Sequence, residues 1–189
     1  MQSTRGLLLC VSMAAACATT GPEPQWRSVE FRAGPQGLDE SSWAPLDARV
    51  AAGLYFSGRK PEWPCGLEFG MQYARAESQD ESIANGADFL DFRGGAAWQW
   101  QAAEWLELVA GGGPRLCLVE VDVPGTFMPS SEQGTSVGLY AHAGAFVRVA
   151  GGFSIGVEGQ WADGTDYEVL GGSQDASETE LLLALRWDI

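Results

Sequence analysis

The segment 135–161 alternates apolar residues with small or polar residues in two successive runs. Between Val137 and Val149 every second residue is Val, Leu or Ala, and a second alternating run follows Gly151-Gly152. A period of two residues is typical of β-strands, and the short glycine turn predicts that the two strands form an antiparallel hairpin. Each strand has about ten residues, which is the length a tilted β-strand needs to cross a bilayer.

The same alternation recurs along the rest of the chain and predicts eight strands. The strands other than the two of the hairpin are expected at residues 26–33, 48–57, 65–75, 88–100, 105–121 and 177–189. The connections between successive strands are alternately long and short. Outer membrane barrels have short periplasmic turns and longer external loops. The sequence therefore predicts an all-β fold, an eight-stranded antiparallel up-and-down transmembrane β-barrel.

Pro114 lies in the middle of the fifth predicted strand, after three consecutive glycines. Because proline has no N–H to donate to a strand ladder, we expect a bulge or a local break there. Gly111-Gly112-Gly113 is followed by neither a Lys-Ser/Thr pair nor a predicted helix, so a phosphate-binding loop is not indicated.

The two faces of the predicted strands differ in charge. In this register the apolar face has no charged residue, as expected for a surface in lipid, where an arginine costs about 2–4 kcal/mol at the bilayer midplane. An interior of eight strands is just wide enough to be filled by side chains, and buried charges require partners. We therefore predict a filled interior, not an open pore, whose charge network consists of Glu30, Arg32, Arg49, Glu68, Asp91, Arg93, Glu107, Arg115, His142, Arg148, Glu158, Glu180 and Arg186.

Tryptophans concentrate near the short connections. An aromatic girdle at a membrane interface would have this distribution. The residues expected in it are Trp26, Trp63, Trp98, Trp100, Trp105 and Trp187.

The amino terminus is typical of an export signal. Arg5 precedes a short apolar stretch and then small residues. The sequence Met13-Ala14-Ala15-Ala16-Cys17 resembles the lipobox of bacterial lipoproteins, which implies lipidation at Cys17; ordinary signal-peptide cleavage near the same alanines is the alternative. We predict a signal peptide at 1–16, a tether at 17–25 and a barrel domain at 26–189.

The chain resembles small outer membrane barrels of the OmpA/OmpX type, and more closely the outer membrane protein beta-barrel domain family. The resemblance rests on the strand pattern and on glycine-rich strands such as Gly138-Leu139-Tyr140-Ala141-His142-Ala143-Gly144. The resemblance implies a monomer in the bacterial outer membrane that is surrounded by lipid, has no cofactor and meets an unknown ligand through its loops. The formal net charge of −14 argues against nucleic acid as a partner.

Enzymatic chemistry has little support in the sequence. A lipid A deacylase would need a serine activated by a histidine. The single histidine is His142, and Ser136 is six positions away on the same strand. We therefore expect a non-enzymatic structural or interaction protein, with a lipid A-modifying enzyme and a tethered lipocalin-like barrel for a small apolar ligand as alternatives.

No metal site is predicted. Cys65 and Cys117 are expected near opposite ends of the barrel, too far apart for a disulfide bond. Asp163, Asp166 and Glu168, with Asp175 and Glu178, could offer carboxylates to Ca²⁺, but their spacing matches no known calcium loop. A solvated acidic loop is the favoured interpretation.

Overall fold

The computed structural model describes residues 26–38, 43, 46, 48–60, 63, 65–77, 86–123 and 130–189. The predicted signal peptide, the lipidation site at Cys17 and the tether lie outside the described residues. Within the described part of the chain, no helix is long and apolar enough to span a membrane.

Eight strands form one closed antiparallel barrel, which confirms the predicted fold class. Neighbouring strands in the barrel are neighbours in sequence, and β1 closes the barrel by pairing with β10. The short strands β8 and β9 form a separate two-stranded sheet in the connection between β7 and β10. The strands are β1 (Trp26–Leu38), β2 (Ala48–Gly58), β3 (Gly66–Glu77), β4 (Gly86–Ala103), β5 (Leu106–Val123), β6 (Ser130–Ala150), β7 (Phe153–Gly164), β8 (Tyr167–Val169), β9 (Gly172–Gln174) and β10 (Glu178–Asp188).

The two ends of the barrel differ in their connections. The connections β2–β3, β4–β5 and β6–β7 meet at one end, which we call the turn end. The others meet at the opposite end, the loop end. Several strands continue further into the loop end than the alternation predicts: β1 extends to Leu38, and β6 begins at Ser130, opposite Val123 of β5. Backbone pairing with a neighbouring strand extends these strands where the side-chain pattern has already ended.

Pro114 causes a local break without a bulge. Its strand pairs continuously with β6, where Pro114 lies opposite Leu139. On the β4 side the ladder is interrupted at Gly94 and Gly95, and the register is the same before and after the gap. A methyl group on Gly113 would overlap the carbonyl oxygen of Gly94, so glycine permits the close approach of the two backbones there.

The same arrangement occurs at Gly34-Pro35, which the sequence predicted as a loop and the structure places inside β1. Pro35 pairs with Val50 of β2, while the ladder to β10 is interrupted on the other side. A methyl group on Gly34 would overlap the carbonyl oxygen of Leu181. Proline is therefore accommodated within a strand because only one of its two ladders is broken.

The outer wall of the barrel is apolar except at the loop end, where Arg75, Asp88 and Glu120 point outward, although no charge was expected on this face. The outward side chains of Leu54, Met71, Val157 and Leu183 are 45%, 46%, 52% and 55% exposed. Trp100, Trp105 and Trp187 also point outward near the turn end, whereas Trp63 and Trp98 are only partly exposed. Cys65 and Cys117 are both buried and are not joined by a disulfide bond.

Candidate functional site

The inward positions of the barrel strands carry the buried charged residues of the domain. Alternation places one residue in two inside, where guanidinium groups meet carboxylates of the same strand, as in Arg32–Glu30, or of a strand across the lumen, as in Arg32–Glu158. Eleven residues of the predicted network have an exposed fraction of 6% or less, and Glu107 is partly exposed. The buried members are Glu30, Arg32, Arg49, Glu68, Asp91, Arg93, Arg115, His142, Glu158, Glu180 and Arg186.

Arg93 is the centre of the network in the half of the lumen nearest the loop end. Its Nη2 lies 2.9 Å from Asp91, 2.7 Å from Glu178 and 2.8 Å from Glu180. Its Nη1 donates to Gln160. One guanidinium therefore joins strands β4, β7 and β10 across the lumen.

Arg115 and Arg49 extend this cluster toward the loop end. Arg115 lies 2.8 Å from both Asp91 and Glu178, and Arg49 lies 2.6 Å from Glu178. The Arg49 guanidinium also stacks 3.5 Å above the centroid of the Phe89 ring. Such contacts use the planar fork of arginine, which lysine lacks.

Glu178 is the member of the network that the sequence analysis missed. It lies in the strand predicted at 177–189 but was considered only as a possible calcium ligand beside the acidic loop, whereas it is 3% exposed and pairs with Arg49, Arg93 and Arg115. Its even position, shared with Glu180 and with the other inward residues of β10, was the signal that could have placed it inside. Among the described residues, no group of His, Cys, Asp or Glu side chains could hold a metal ion.

His142 lies near mid-barrel between two carboxylates. Its Nε2 is 2.8 Å from Glu68 Oε1, and its Nδ1 is 3.2 Å from Glu158 Oε2. The Tyr140 hydroxyl donates to the same Glu68 oxygen at 2.5 Å. A methyl group on Gly111 would overlap the imidazole ring, so the glycine of the neighbouring strand makes room for it.

The position of Ser136 argues against a Ser-His pair. Ser136 is buried on the same face of β6, six residues from His142. At about 3.3 Å per strand residue the two lie roughly 20 Å apart, far beyond hydrogen-bonding reach. Both imidazole nitrogens face carboxylates, so the histidine is a member of the ion-pair network.

Arg186 and Arg32 continue the network toward the turn end. Arg186 donates from Nε to Glu30 at 2.7 Å and from Nη1 to Glu107. Arg32 lies 2.8 Å from Glu30 and 2.5 Å from Glu158, and its guanidinium stacks on the Tyr55 ring at 3.9 Å. These ion pairs link the part of the lumen near the turn end to the middle of the barrel.

Arg148 differs from its predicted position. The sequence analysis placed it beside Glu158 as an interior partner, but Arg148 is exposed, and Glu158 instead contacts Arg32 and His142. The strand register shifts directly after Arg148, where β6 approaches its turn, so the residue lies at the mouth of the barrel and not within the packed lumen.

An aromatic cluster closes the lumen at the loop end. The Trp43 ring packs edge-on against Phe89 and Tyr167, with centroid distances of 5.3 Å and 5.6 Å. The indole N–H donates to the carbonyl oxygen of Asp175 at 2.6 Å. Trp43 is 1% exposed, and the sequence analysis assigned it no role because it lies in a predicted loop.

Comparisons with known proteins identify the fold. No family model and no curated protein sequence matches the chain. Among solved structures, Neisserial surface protein A (NspA) aligns with a TM-score of 0.63 and 14% identity, covering 87% of this chain and 97% of that one. A major outer membrane protein from Thermus thermophilus aligns with a TM-score of 0.64 and 12% identity, covering 87% and 98%.

A third likeness is to Ail, the attachment invasion locus protein of Yersinia pestis, in complex with the heparin analogue sucrose octasulfate. The TM-score is 0.55 at 12% identity, and the alignment covers 86% of this chain and 95% of Ail. Together with the strand order and the closed ladder, these likenesses show that the chain has the fold of the small eight-stranded outer membrane β-barrels.

Proposed function

We propose that this chain is a non-enzymatic protein of the bacterial outer membrane, related to the outer membrane protein beta-barrel domain family, with a structural or interaction role. The observation that carries the proposal is the apolar outer wall, whose large side chains remain exposed on the barrel strands. A soluble protein rarely exposes such a continuous apolar surface, whereas lipid would cover it.

The charged interior supports a barrel that is filled by side chains and has no open pore. Buried arginines and carboxylates bridge the lumen at several levels, and Trp43 packs over the loop end. A permeating ion would have to separate these pairs. The charged interior also disfavours the lipocalin-like alternative, because a small apolar ligand needs an apolar cavity.

The same interior disfavours the lipid A-modifying alternative. The side chain of His142 is enclosed and held by Glu68 and Glu158, and Ser136 lies too far away to be activated by it. A nucleophile also needs a path to its substrate. We therefore retain the non-enzymatic proposal.

The loop end is the surface we propose for interaction. Its described exposed carboxylates include Glu77, Glu120, Asp122, Asp163 and Glu168. Such a surface attracts cationic ligands and repels polyanions. We therefore expect the loop end to bind a basic partner, unlike the sulfated heparin analogue in the Ail complex.

Changing Leu183 to Arg tests membrane insertion. Leu183 lies midway along β10 and is 55% exposed, so an arginine there would face the hydrocarbon and destabilise the inserted barrel by about 2–4 kcal/mol. Folding into phospholipid vesicles, followed by heat-modifiable gel migration, should fall sharply.

Val149→Arg is the matched control, because Val149 is equally outward but lies at the turn end of β6. Near the membrane interface an arginine costs only about 0–1 kcal/mol. If Leu183→Arg folded into vesicles as well as Val149→Arg, lipid would not surround the middle of the barrel, and the proposal would be wrong.

Lipidation at Cys17 is a separate proposal that rests on the lipobox-like sequence. Changing Cys17 to Ser should abolish incorporation of radiolabelled palmitate in cells, because serine offers no thiol for the lipid. Cys10→Ser, within the apolar stretch of the same signal, should leave labelling intact. Labelling that persists in Cys17→Ser would place the lipid elsewhere and contradict the proposal, and absence of label in the wild-type protein would indicate ordinary cleavage of the signal peptide.

A further inference from the structure

A cavity of about 900 Å³ opens at the turn end of the barrel. It lies between the ion pairs of the lumen and the turn end, and it is lined by the ends of several strands and by Arg59, directly after β2. Cavities of this size accommodate small-molecule ligands. We call it the turn-end vestibule.

The wall of the vestibule is rich in arginine. Arg27, Arg59, Arg148 and Arg186 line it, together with the carboxylates of Glu107 and Asp188. Glu107 is already engaged by Arg186. The cationic wall stands out in a chain of net charge −14, in which only eleven of 189 residues are Lys or Arg.

Three of these arginines have donors available to a ligand. Arg59 donates from Nε to the carbonyl oxygen of Trp63 at 3.2 Å, which orients its guanidinium. Arg27 and Arg148 are exposed and form no ion pair with the residues that the structure describes. Their guanidinium N–H groups are therefore free to donate to a ligand.

Arg186 is the buried arginine of the vestibule wall. Its side chain is 4% exposed, and its Nε and Nη1 are paired with Glu30 and Glu107. Its Nη2 is buried and has no hydrogen-bond partner among the described residues. Arg49, Arg93 and Arg115 each have such a nitrogen elsewhere in the lumen, and Arg186 is the one of the four whose side chain also lines the vestibule. A buried N–H without an acceptor is costly, and an anion in the vestibule would supply an acceptor.

We propose that the turn-end vestibule binds a compact polyvalent anion that carries phosphate groups, held by Arg27, Arg59 and Arg148 with Arg186 as the buried member. The guanidinium fork matches phosphate oxygens, and a phosphate group offers acceptors in several directions to arginines on different strands. This chemistry could belong to a soluble phosphorylated compound or to a phospholipid head group. The inference does not depend on membrane insertion or on the role of the loop end.

Calorimetric titration of the full chain in a non-ionic detergent at low salt, with pyrophosphate as the probe, tests the proposal. We expect saturable binding that weakens about tenfold in Arg148→Gln and about a hundredfold in Arg27→Gln/Arg148→Gln, because each change removes a charge-assisted hydrogen bond. Arg75→Gln is the matched control: Arg75 is exposed at the loop end, so the affinity should not change.

Titration with bis(glycerophospho)glycerol, the free head group of cardiolipin, which carries two phosphate groups, distinguishes the two sources. If the head group binds as tightly as pyrophosphate, the natural ligand is a lipid head group. If it binds much more weakly, the natural ligand is a soluble polyvalent anion. Absence of saturable binding of both probes, or wild-type affinity for pyrophosphate in Arg27→Gln/Arg148→Gln, would overturn the proposal. Should the double variant not fold, Arg27→Gln and Arg148→Gln tested singly decide in the same way.

Discussion

Replacing Arg93 with Met should lower the free energy of unfolding of the barrel by about 3–5 kcal/mol, the usual cost of leaving buried charges without their partner. Arg93 is 1% exposed and contacts Asp91, Glu178 and Glu180 at 2.7–2.9 Å. Methionine retains much of the volume but neutralises none of these carboxylates. Cavity formation is therefore a minor part of the expected loss.

Glu180 should be the most affected partner. Asp91 keeps Arg115, and Glu178 keeps both Arg49 and Arg115. Glu180 pairs with no other arginine among the described residues and keeps only the amides of Gln36 and Gln72. Adding Glu180→Gln to Arg93→Met should therefore recover part of the lost stability, since an amide costs less to bury than an unpaired carboxylate.

Urea unfolding of the barrel in phospholipid vesicles, followed by tryptophan fluorescence, measures both effects. Arg75→Met is the matched control, because the Arg75–Asp88 pair is exposed and such a pair contributes at most about 1 kcal/mol. Equal stabilities of Arg93→Met and Arg75→Met would mean that the interior charges are solvated and not confined. Failure of Glu180→Gln to restore stability would mean that Glu180 is not the carboxylate left unpaired.

The barrel could be predicted from sequence because its main determinant is local. A period of two residues fixes which side chains face outward, and the alternating connection lengths give the strand order. The same parity brought Arg93, Asp91 and Glu180 to one face without any knowledge of their partners. Which arginine meets which carboxylate depends on contacts across the lumen between residues as far apart as Arg32 and Glu158. Sequence spacing carries no information about those pairs.

The missed features lie where local signals conflict with tertiary contacts. Gly34-Pro35 has the composition of a loop, yet pairing with β2 keeps it inside β1. Arg148 has the parity of an interior residue, but it lies at the mouth of the barrel, where inward parity no longer means burial. Parity identifies a face of a strand, and the depth of the packed interior determines whether that face is enclosed.

Trp43 is the clearest case of a residue whose role is visible only in the folded barrel. Changing Trp43 to Ala should lower the free energy of unfolding by about 3–5 kcal/mol. The indole is 1% exposed between Phe89 and Tyr167, so alanine would leave a cavity that the surrounding strands cannot easily fill. The loss should appear in the same urea unfolding experiment.

Trp43→Phe separates packing from hydrogen bonding. Phenylalanine keeps an aromatic ring in the cluster and loses the N–H donated to Asp175, so about 1 kcal/mol should be lost through the hydrogen bond, plus a smaller packing term. If Trp43→Ala and Trp43→Phe were equally stable, ring packing would not hold the cluster. A large difference between them would establish that Trp43 closes the loop end by packing its indole against Phe89, and that the barrel depends on this closure for its stability.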